Sequence, residues 1–380
     1  MTLTLRVIVD DVVAPSVGGI GRYAEELTRE LIATAPPGCE VAGVVSSSPP
    51  ADYDELHTLL PGMADLFKSA LARRELQLAW QHGITRLPGS GMVHAPSLLA
   101  PLSKHDRVNN VGDQTVVTIH DALPWTHPET LPGRQAAWAR GMAKRAQKYA
   151  DAVIVPTHTV AQQLGEVLEL GERVRVIGGA PSSRLRLPPD ADARATALAL
   201  PERYVLTLGS LAPHKGLEPL IRSLASVSDA GLPLVIAGPA AEHPDAVSAL
   251  AEAAGVDLSR VICLGRIGDA DLATAIDRAT VFAFPSVAEG FGLPVIEAFS
   301  LGTPVVHSDA AALVEVSAGA GLSVASAVAD EYPDRLAATI TRVVEDEGLA
   351  RRLGFSGLDR AAAFSWTDAA RQVWQLHADL

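Results

Sequence analysis

Two glutamates on either side of a glycine turn are the residues of this chain best suited to chemistry. Glu289 and Glu297 stand in the stretch PSVAEGFGLPVIEAFSLGTP, residues 285–304. A glycine turn in front of a helix directs backbone N–H groups at one point, where the helix dipole adds partial positive charge. The stretch therefore predicts a site for an anion, most simply a phosphate. Glu289 would lie beside that anion, and Glu297, one helical turn further in, would suit a pair of sugar hydroxyls.

Local signals around the two glutamates predict the elements that hold them. The apolar run Val281–Phe284 predicts a strand. Pro294 predicts the start of a helix ending near Leu301, because proline lacks the N–H that would be unpaired in a first turn. Gly302 is typical of the residue that closes a helix. The alternative is a surface turn with a solvated glutamate, but the glycine turn, the proline and a following apolar strand together favour a binding site.

A lysine in the same half of the chain could serve the same anion. Lys215 ends the string GSLAPHK, which follows a strand predicted at Val205–Leu208. A cation at the carboxyl edge of a parallel sheet can offset the negative charges of a pyrophosphate. The alternative is a lysine that only faces solvent, and its position after a strand and a glycine turn favours the phosphate role.

A glycine pattern near the start of the chain could indicate a cofactor. Gly19, Gly21 and Ala24 fit the G-x-G-x-x-A pattern of dinucleotide-binding proteins. The loop that precedes them is too long for the tight turn of that motif, and no acidic residue ends the next strand, where a ribose would need one. We therefore expect no nicotinamide cofactor.

Two histidines follow or end predicted strands of the first half. His120 comes directly after a strand predicted at 115–119, and would project into the ligand crevice of an open α/β sheet. The alternative for His120 is a hydrogen bond to a neighbouring loop, and we favour the ligand contact. His94, within the strand end MVHAP, is interpreted as structural.

Composition restricts the class of protein. A chain of 380 residues is long enough for two ordinary domains, and its formal net charge of −13 argues against nucleic acid, which favours a basic face. Cys39 and Cys263 set up no disulfide framework or metal cluster, which suits a reducing cytoplasm. The first residues predict a strand and not a signal peptide, and no apolar run is long enough to span a membrane. We expect a cytoplasmic protein, soluble or peripheral.

One basic stripe bears on the peripheral alternative. Arg140, Lys144 and Lys148 share one face of a helix predicted over 134–150. Such a stripe is usually a solvated face. The other interpretation is contact with anionic lipid headgroups of the inner membrane surface or with a lipid-phosphate acceptor.

Apolar strands alternate with helical segments along the chain, which predicts an α/β protein with doubly wound parallel sheets. The segment 180–200, rich in Pro, Ala and Asp, predicts a hinge. We place an N-terminal domain at 1–182, completed by 364–380, and a C-terminal domain at 183–363.

Two finer predictions concern helices. The residues between a polar loop at 46–54 and Gln81 are expected to be helical. The last helix is expected to be amphipathic, with Ser365 or Thr367 as its cap.

Two aspartate pairs spell D-x-D, a motif that binds a metal–nucleotide complex in some nucleotide-binding proteins. Asp190 and Asp192 lie in the predicted hinge, and Asp269 and Asp271 lie at a helix start, where aspartates are good caps. Neither pair follows a buried strand, so we expect no required metal.

Several strings of the chain together resemble one enzyme family. EGFGLPVIEAF is similar to the C-terminal signature of the retaining GT-B glycosyltransferases of family 4, also called glycosyl transferases group 1. GGIGRY, PTHTVAQQL, the His-Asp pair at residue 120 and the FSW before the last helix resemble further elements of the family. The resemblance implies two Rossmann-like domains facing across a cleft, with the C-terminal helix crossing back to the first. It also implies that the first domain binds the acceptor and the second binds the donor.

The resemblance implies roles for individual residues. His120, Lys215 and Glu289 are the expected catalytic residues, with Lys215 stabilising the leaving phosphate, and Glu297 is expected to hold the ribose. The implied donor-binding set is Gly19, Ser210, His214, Lys215, Glu289, Gly290, Phe291, Gly292, Leu293 and Glu297. The family usually has arginine where this chain has His214, so its phosphate clamp has fewer cations.

The implied activity is transfer of a hexose from a nucleotide diphosphate sugar, with GDP-mannose favoured as donor. The acceptor would be a glycan, a lipid-linked sugar or a small molecule, in cell-envelope polysaccharide biosynthesis, and no cofactor would be required. One alternative is a UDP-sugar-dependent glucosyl- or N-acetylglucosaminyltransferase. Others are a sugar-nucleotide epimerase, a phosphorylase of the same fold, or a non-catalytic partner subunit, against which Lys215, Glu289 and Glu297 argue.

Overall fold

Short apolar strands form a parallel sheet in the first half of the chain. The structure is a computed structural model that describes residues 2–14, 18–89, 91–106, 109–110, 112–227 and 232–380. The strands of this sheet are β1 (Leu3–Ile8), β2 (Cys39–Ser47), β3 (Asp65–Ala72), β4 (Val93–Ala95), β5 (Thr115–Thr118), β6 (Ala152–Val155) and β7 (Val174–Val176). Within the described residues their spatial order is β3-β2-β1-β4-β5-β6-β7. The helices of this half are α1 (Gly19–Ala33), α2 (Pro50–Leu59), α3 (Arg73–His82), α4 (Leu123–Thr126), α5 (Gly133–Tyr149) and α6 (His158–Gly165).

A second parallel sheet follows. Its strands are β8 (Val205–Leu208), β9 (Leu234–Ala237), β10 (Val261–Gly265), β11 (Val281–Phe284), β12 (Val305–Ser308) and β13 (Leu322–Val324). Their order is β10-β9-β8-β11-β12-β13. The remaining helices are α7 (Ala191–Ala197), α8 (Leu217–Ser223), α9 (Pro244–Ala253), α10 (Asp269–Asp277), α11 (Leu293–Ser300), α12 (Ala311–Ser317), α13 (Tyr332–Glu345), α14 (Glu347–Ala361) and α15 (Trp366–Asp379).

The chain divides into two units, each built around one sheet. The first unit is Met1–Gly179 with Ser365–Leu380, and the second is Ala180–Phe364. Strands such as AVIV in β6 and VFAF in β11 are buried along their whole length, as expected when helices cover both faces of a parallel sheet. The predicted α/β architecture of two doubly wound parallel sheets is confirmed.

The last helix belongs to the first unit, as predicted. Ser365 caps α15 by accepting a hydrogen bond from the Asp368 N–H at 3.1 Å. The indole N–H of Trp374 donates to the carbonyl of Leu31 in α1 at 3.1 Å, and the helix is amphipathic with both tryptophans buried. These contacts attach the C-terminal segment to the unit that begins the chain.

Two strands were missed in the sequence. Residues 65–72, expected to be helical, form the edge strand β3, which pairs with β2 from Ala42 opposite Asp65. Most of the side chains of β3 are at least partly exposed, so the strand lacks the apolar signal of its neighbours, and pairing with β2 decides its conformation. The three-residue strand β13 at the edge of the second sheet is too short to give a periodic pattern.

In each sheet the strand order reverses beside its first strand. That point lies between β1 and β4 in the first unit and between β8 and β11 in the second. Connections leave in opposite directions there, which opens a crevice at the carboxyl ends of the two strands, the usual ligand site of open α/β sheets. Residues that directly follow these strands are therefore the ones positioned to bind.

Two features of the structure bear on contact with a membrane. Within the part of the chain that the structure describes, no helix combines the length and apolarity needed to cross a bilayer. On α5, Lys144 and Lys148 are exposed, whereas the guanidinium of Arg140 donates to the carbonyl of Pro124 at 3.2 Å. Membrane contact by this stripe stays a prediction.

Candidate functional site

Lys215 and Glu289, which follow different strands, meet in the second unit. Lys215 ends a short 3₁₀ turn after β8, and Glu289 lies in the loop after β11. The lysine Nζ lies 2.5 Å from the Oε1 atom of Glu289 and 5.9 Å from the ring centroid of Phe284. Because β8 and β11 are paired strands at the point where the order reverses, the topology itself brings the two groups together. A cation and a carboxylate thus stand side by side at the edge where a ligand would bind.

The turn with the lysine is fastened to the loop with the glutamate through backbone groups. The carbonyl of His214 accepts hydrogen bonds from the N–H of Val287 at 2.8 Å and from the hydroxyl of Ser286 at 3.0 Å. Gly216 has φ of +67°, and a Cβ there would lie 2.3 Å from the carbonyl oxygen of Pro285, so only glycine fits. His214 itself is buried, and its predicted contact with phosphate stays a prediction.

The glycine turn between the two glutamates leads directly into α11. Gly292, the N-cap, has φ of +92°, and a Cβ there would lie 2.4 Å from Cδ2 of Leu313, which again requires glycine. The side chain of Phe291 packs edge-on against Phe364, with ring centroids 5.7 Å apart, so what it can offer a ligand is its backbone. Among the described residues no side chain caps α11. Pro294 has no N–H and the Val295 N–H donates to the Gly292 carbonyl at 2.9 Å, so the amide that the helix start offers to an anion is that of Leu293.

Two further predicted donor residues lie in the same unit. Glu297 is one turn inside α11 and only 3% exposed, and a carboxylate at that depth requires polar partners. The hydroxyl of Ser210, just after β8, accepts from the Ala212 N–H at 3.3 Å and so helps to shape the turn before Lys215. Their contacts with a nucleotide stay predictions, as do those of the backbone at Gly290 and Leu293.

His120 lies in the first unit, just past the end of β5. Its Nε2 is 2.7 Å from the carbonyl oxygen of Pro96 and therefore acts as donor, which is the loop contact considered as the alternative in the sequence. The ring of Tyr23 meets the imidazole edge-on, with centroids 4.7 Å apart, and the indole of Trp366 meets Tyr23 at 5.4 Å. Burial lowers the pKa of His120, so the imidazole is neutral near pH 7 and Nδ1 carries a lone pair. Contact with a sugar stays a prediction.

Gly19 is the first residue of α1. Most of the GGIGRY string is therefore helical and does not form a loop. Gly19 is exposed, and a Cβ there would meet no atom within 4 Å. Nothing within the protein therefore demands glycine at this position, which is compatible with a ligand's close approach. The predicted loop before it includes residues 15–17, which lie outside the described residues.

The sequence interpretation missed a charged cluster at the edge of the first sheet. Arg73 of α3 contacts both carboxylates that follow β1: its Nη1 reaches the side chain of Asp10 and, at 2.6 Å, the Asp10 carbonyl, and its Nη2 lies 2.5 Å from Asp11. The hydroxyl of Ser97, after β4, donates to Asp11 at 2.5 Å. The signal was present, because two adjacent aspartates directly after an apolar strand are unusual in a purely structural position.

The four aspartates of the D-x-D pairs have arginine partners. The N-cap of α10 is Gly268, so Asp269 and Asp271 are not caps, contrary to the prediction, and lie in the first helical turn. The pairs are Arg194 with Asp190 at 2.9 Å and Asp271 at 2.7 Å, Arg278 with Asp192 at 2.5 Å, and Arg184 with Asp269 at 3.0 Å. These carboxylates join the segment of α7 to α10 and thereby stabilise the start of the second unit.

Models of two protein families match the two halves of the chain. The family described as Glycosyltransferase Family 4 matches residues 17–180, and the family described as Glycosyl transferases group 1 matches residues 190–358. The border between the two matches falls close to the border between the two structural units. Together the matches account for most of the chain.

Known proteins show the same relationship. The serotype-specific mannosyltransferase WbdA of Escherichia coli is 29% identical over 272 residues, which are 69% of this chain and 33% of WbdA. This chain thus spans about a third of the length of that relative. Among solved structures, sucrose-phosphate synthase from Thermosynechococcus elongatus has a TM-score of 0.75 at 22% identity, covering 100% of this chain and 99% of its own.

A further structure shows the fold with a ligand. HepE of Anabaena, solved in complex with UDP-glucose, has a TM-score of 0.72 at 18% identity and covers 100% of both chains. At such identities the likeness to the solved structures concerns the fold alone. With the two family matches, the sheet order and the paired Lys215 and Glu289, this chain belongs to the family 4 glycosyltransferases and has the GT-B fold.

Proposed function

We propose that this protein transfers a hexose, with retention of anomeric configuration, from a nucleotide diphosphate sugar to a hydroxyl group of a saccharide acceptor. The observation that carries the proposal is the Lys215–Glu289 pair at the strand reversal of the second sheet, beside the uncapped start of α11. The second unit would bind the donor, and the first would bind the acceptor.

Each group has a distinct task in this proposal. The diphosphate lies against the ammonium of Lys215 and the Leu293 amide at the start of α11, and both favour negative charge. Glu297 accepts hydrogen bonds from the ribose hydroxyls. Glu289 accepts from a hydroxyl of the sugar, and its carboxylate orients the lysine when no ligand is present. His120, neutral and held by Pro96, contributes a contact to the sugar from the first unit.

The chemical step requires no enzyme nucleophile. The bond between the anomeric carbon and the β-phosphate oxygen breaks, and the acceptor oxygen bonds to that carbon on the same face. The acceptor proton passes to the departing phosphate, whose developing charge Lys215 stabilises. No metal is required in this scheme, because Lys215 supplies the positive charge and the D-x-D aspartates are held by arginines.

The donor proposed is GDP-mannose. Support comes from relatives named as mannosyltransferases, whereas UDP and UDP-glucose in a structural neighbour support UDP-sugars as the alternative. A non-catalytic subunit that keeps the fold is disfavoured, because the lysine and both glutamates are retained.

A panel of GDP- and UDP-sugars tests the proposal. A donor that binds the native state alone raises the melting temperature, so one nucleotide sugar should give a clear upward shift, and its slow hydrolysis without acceptor should be detectable. Both effects should persist in EDTA. If no nucleotide sugar shifts the melting temperature, the proposal is contradicted. Binding without hydrolysis or transfer would favour the non-catalytic subunit. Loss of activity in EDTA that Mg²⁺ restores would contradict the metal-free scheme.

A further inference from the structure

A cavity of about 180 Å³ lies in the first unit, with His120 in its wall. Asp11, Ser97 and His120 line it and follow β1, β4 and β5 respectively, so it opens at the carboxyl edge of the sheet, beside the strand reversal. The volume is below the roughly 300–1,000 Å³ of pockets for drug-sized ligands, which restricts the occupant to one small group such as a single sugar ring. His120, in the wall of this cavity, is also the residue that the proposed function assigns to the sugar undergoing transfer.

The charge of the cavity argues against an anionic occupant. Arg73 is the one lysine or arginine among the described lining residues, and its guanidinium already contacts both Asp10 and Asp11. Asp121 adds a further carboxylate to the wall, and the lowered pKa of His120 keeps that imidazole neutral. The net charge around the cavity is therefore negative, and a phosphate group would be repelled where a neutral hydroxyl would find acceptors.

The remaining wall suits the two faces of a sugar ring. Trp125 of α4 and Trp138 of α5 line the cavity, and both are partly exposed, so an aromatic surface faces the space. The indole N–H of Trp138 is buried, so this residue offers the cavity its ring and not its N–H. Gln77 of α3 adds an amide. Apolar C–H faces pack on aromatic rings while hydroxyls bond to carboxylates and amides, and this combination is what a neutral saccharide requires.

We propose that this cavity binds an uncharged sugar ring of the acceptor and that Asp11 selects against phosphorylated acceptors. The inference rests on the proposed function for its place in the reaction, but not for the binding itself. Asp11 acts in two ways: the oxygen that accepts from the Ser97 hydroxyl has a second lone pair for a hydroxyl of the ligand, and the carboxylate charge neutralises Arg73. Asp11→Asn keeps the size of the side chain and leaves Arg73 with a single carboxylate, so the cavity should accept phosphate better than in the wild type.

The test uses the full chain labelled with 5-fluorotryptophan, whose ¹⁹F resonances are assigned with Trp125→Phe and Trp138→Phe. Methyl α-mannopyranoside and methyl α-glucopyranoside are the neutral probes, and their 6-phosphates are the charged probes. We expect a neutral probe to shift the Trp125 and Trp138 resonances and the phosphates to bind at least tenfold more weakly. Asp11→Asn should reduce that preference by tenfold or more, whereas Asp54→Asn, the same change at an exposed position of α2, should not.

The outcomes separate this inference from the proposed function. Nucleotide diphosphate binding is measured on the same samples by calorimetry, because the second unit contains no tryptophan and the ¹⁹F resonances report on the first unit. If the nucleotide binds but neither neutral probe shifts the two tryptophans, or if the wild type prefers the phosphates, the inference is wrong and the proposed function stands. If neutral probes bind as expected but no nucleotide does, the proposed function is wrong and the saccharide site remains. An Asp11→Asn variant with unchanged preference, and with unaltered resonances of the other tryptophans, would remove Asp11 as the selecting residue.

Discussion

The imidazole rings of His94 and His377 meet edge to face in the interior of the first unit, with centroids 5.7 Å apart. His94 lies in β4 and His377 in α15, so the pair joins the C-terminal helix to the sheet. Both are almost completely buried, and Gln114 donates to the Nδ1 of His377 at 3.0 Å and to its carbonyl at 2.6 Å. Neither nitrogen of His94 has a hydrogen-bond partner among the described residues. The contact is therefore favourable only while both rings are neutral.

Acid should weaken the attachment of α15. Burial lowers the pKa of His377 to about 4 and that of His94 well below its ordinary value. Both histidines therefore stay neutral in the folded state at pH values below about 6.5, where they become protonated in the unfolded chain. The free energy of unfolding then falls as pH falls from about 6.5 to about 4, by up to about 1.4 kcal/mol per pH unit for each histidine. The protection factors of the α15 amides, in which hydrogen exchange is corrected for its lower intrinsic rate in acid, should fall over this window. His94→Leu should lessen the dependence, whereas His57→Leu, on exposed α2, should leave it as in the wild type.

Removing the cation at the proposed diphosphate site should affect the reaction more than the fold. Lys215→Ala deletes the group that stabilises the leaving oxygens and leaves Glu289 without its cation, so kcat should fall by roughly a hundredfold or more. Lys215→Arg should retain part of the activity, because it keeps the charge but changes the geometry. Lys104→Ala, at an exposed position in the loop before β5, is the matched control. Steady-state kinetics with the best donor would measure this, and a Lys215→Ala variant with near-normal kcat would refute the assignment.

Glu297 should act on binding before any chemistry. If its carboxylate holds the ribose, Glu297→Ala should weaken the binding of free nucleotide diphosphate by roughly tenfold or more. This is the effect expected when a hydrogen bond to a charged group is lost. The 2′-deoxynucleotide gives a sharper comparison, because the wild type should discriminate against it and the variant should not. Glu218→Ala, an exposed glutamate of α8, serves as control. Equal calorimetric affinities of wild type and Glu297→Ala would show that the ribose lies elsewhere.

The elements around the site could be predicted, whereas the contacts between them could not. Proline and glycine signals locate α11 to within a residue, because they act locally: Gly302, directly after the C-cap, has φ of +74°. The ion pair of Lys215 with Glu289 depends on the pairing of β8 with β11. Local sequence patterns do not predict the order of strands in a sheet. Strand β3 was missed for the same reason, since its partner β2, and not its own composition, keeps it extended.

The first unit shows a second limit of sequence interpretation. The sequence interpretation gave no role to Asp10 or Asp11, although together they hold Arg73 at the sheet edge. Arg73 comes from the segment predicted to be helical, where α3 does begin, but its partners lie far away in sequence. Charged groups that meet only after folding carry no periodic signal, so the cavity beside them could not be anticipated from spacing.

The chain of rings from Trp366 through Tyr23 to His120 predicts that the C-terminal helix positions the histidine. Tyr23 is buried, with its pKa raised to about 12 by burial, so it acts as a packing surface and not as an acid or base. Trp366→Leu keeps an apolar side chain but removes the indole ring that packs edge-on against the ring of Tyr23. Because a displaced His120 imidazole would contact the sugar less well, we expect kcat to fall by roughly tenfold. Trp366→Phe should restore most of it, since it returns an aromatic edge.

Two readouts distinguish positioning from general damage to the fold. Nucleotide diphosphate affinity should stay at the wild-type value in Trp366→Leu, because Lys215 and Glu297 lie in the other unit. The pH titration of His120, followed by ¹³C-labelled histidine NMR, should move toward its ordinary pKa as the ring becomes more hydrated. Trp374→Leu is the matched control, because it removes the other tryptophan of α15, which bonds to Leu31 and does not touch Tyr23. Equal losses of turnover in both variants, with His120 titrating as in the wild type, would show that α15 supports the fold and does not position the histidine.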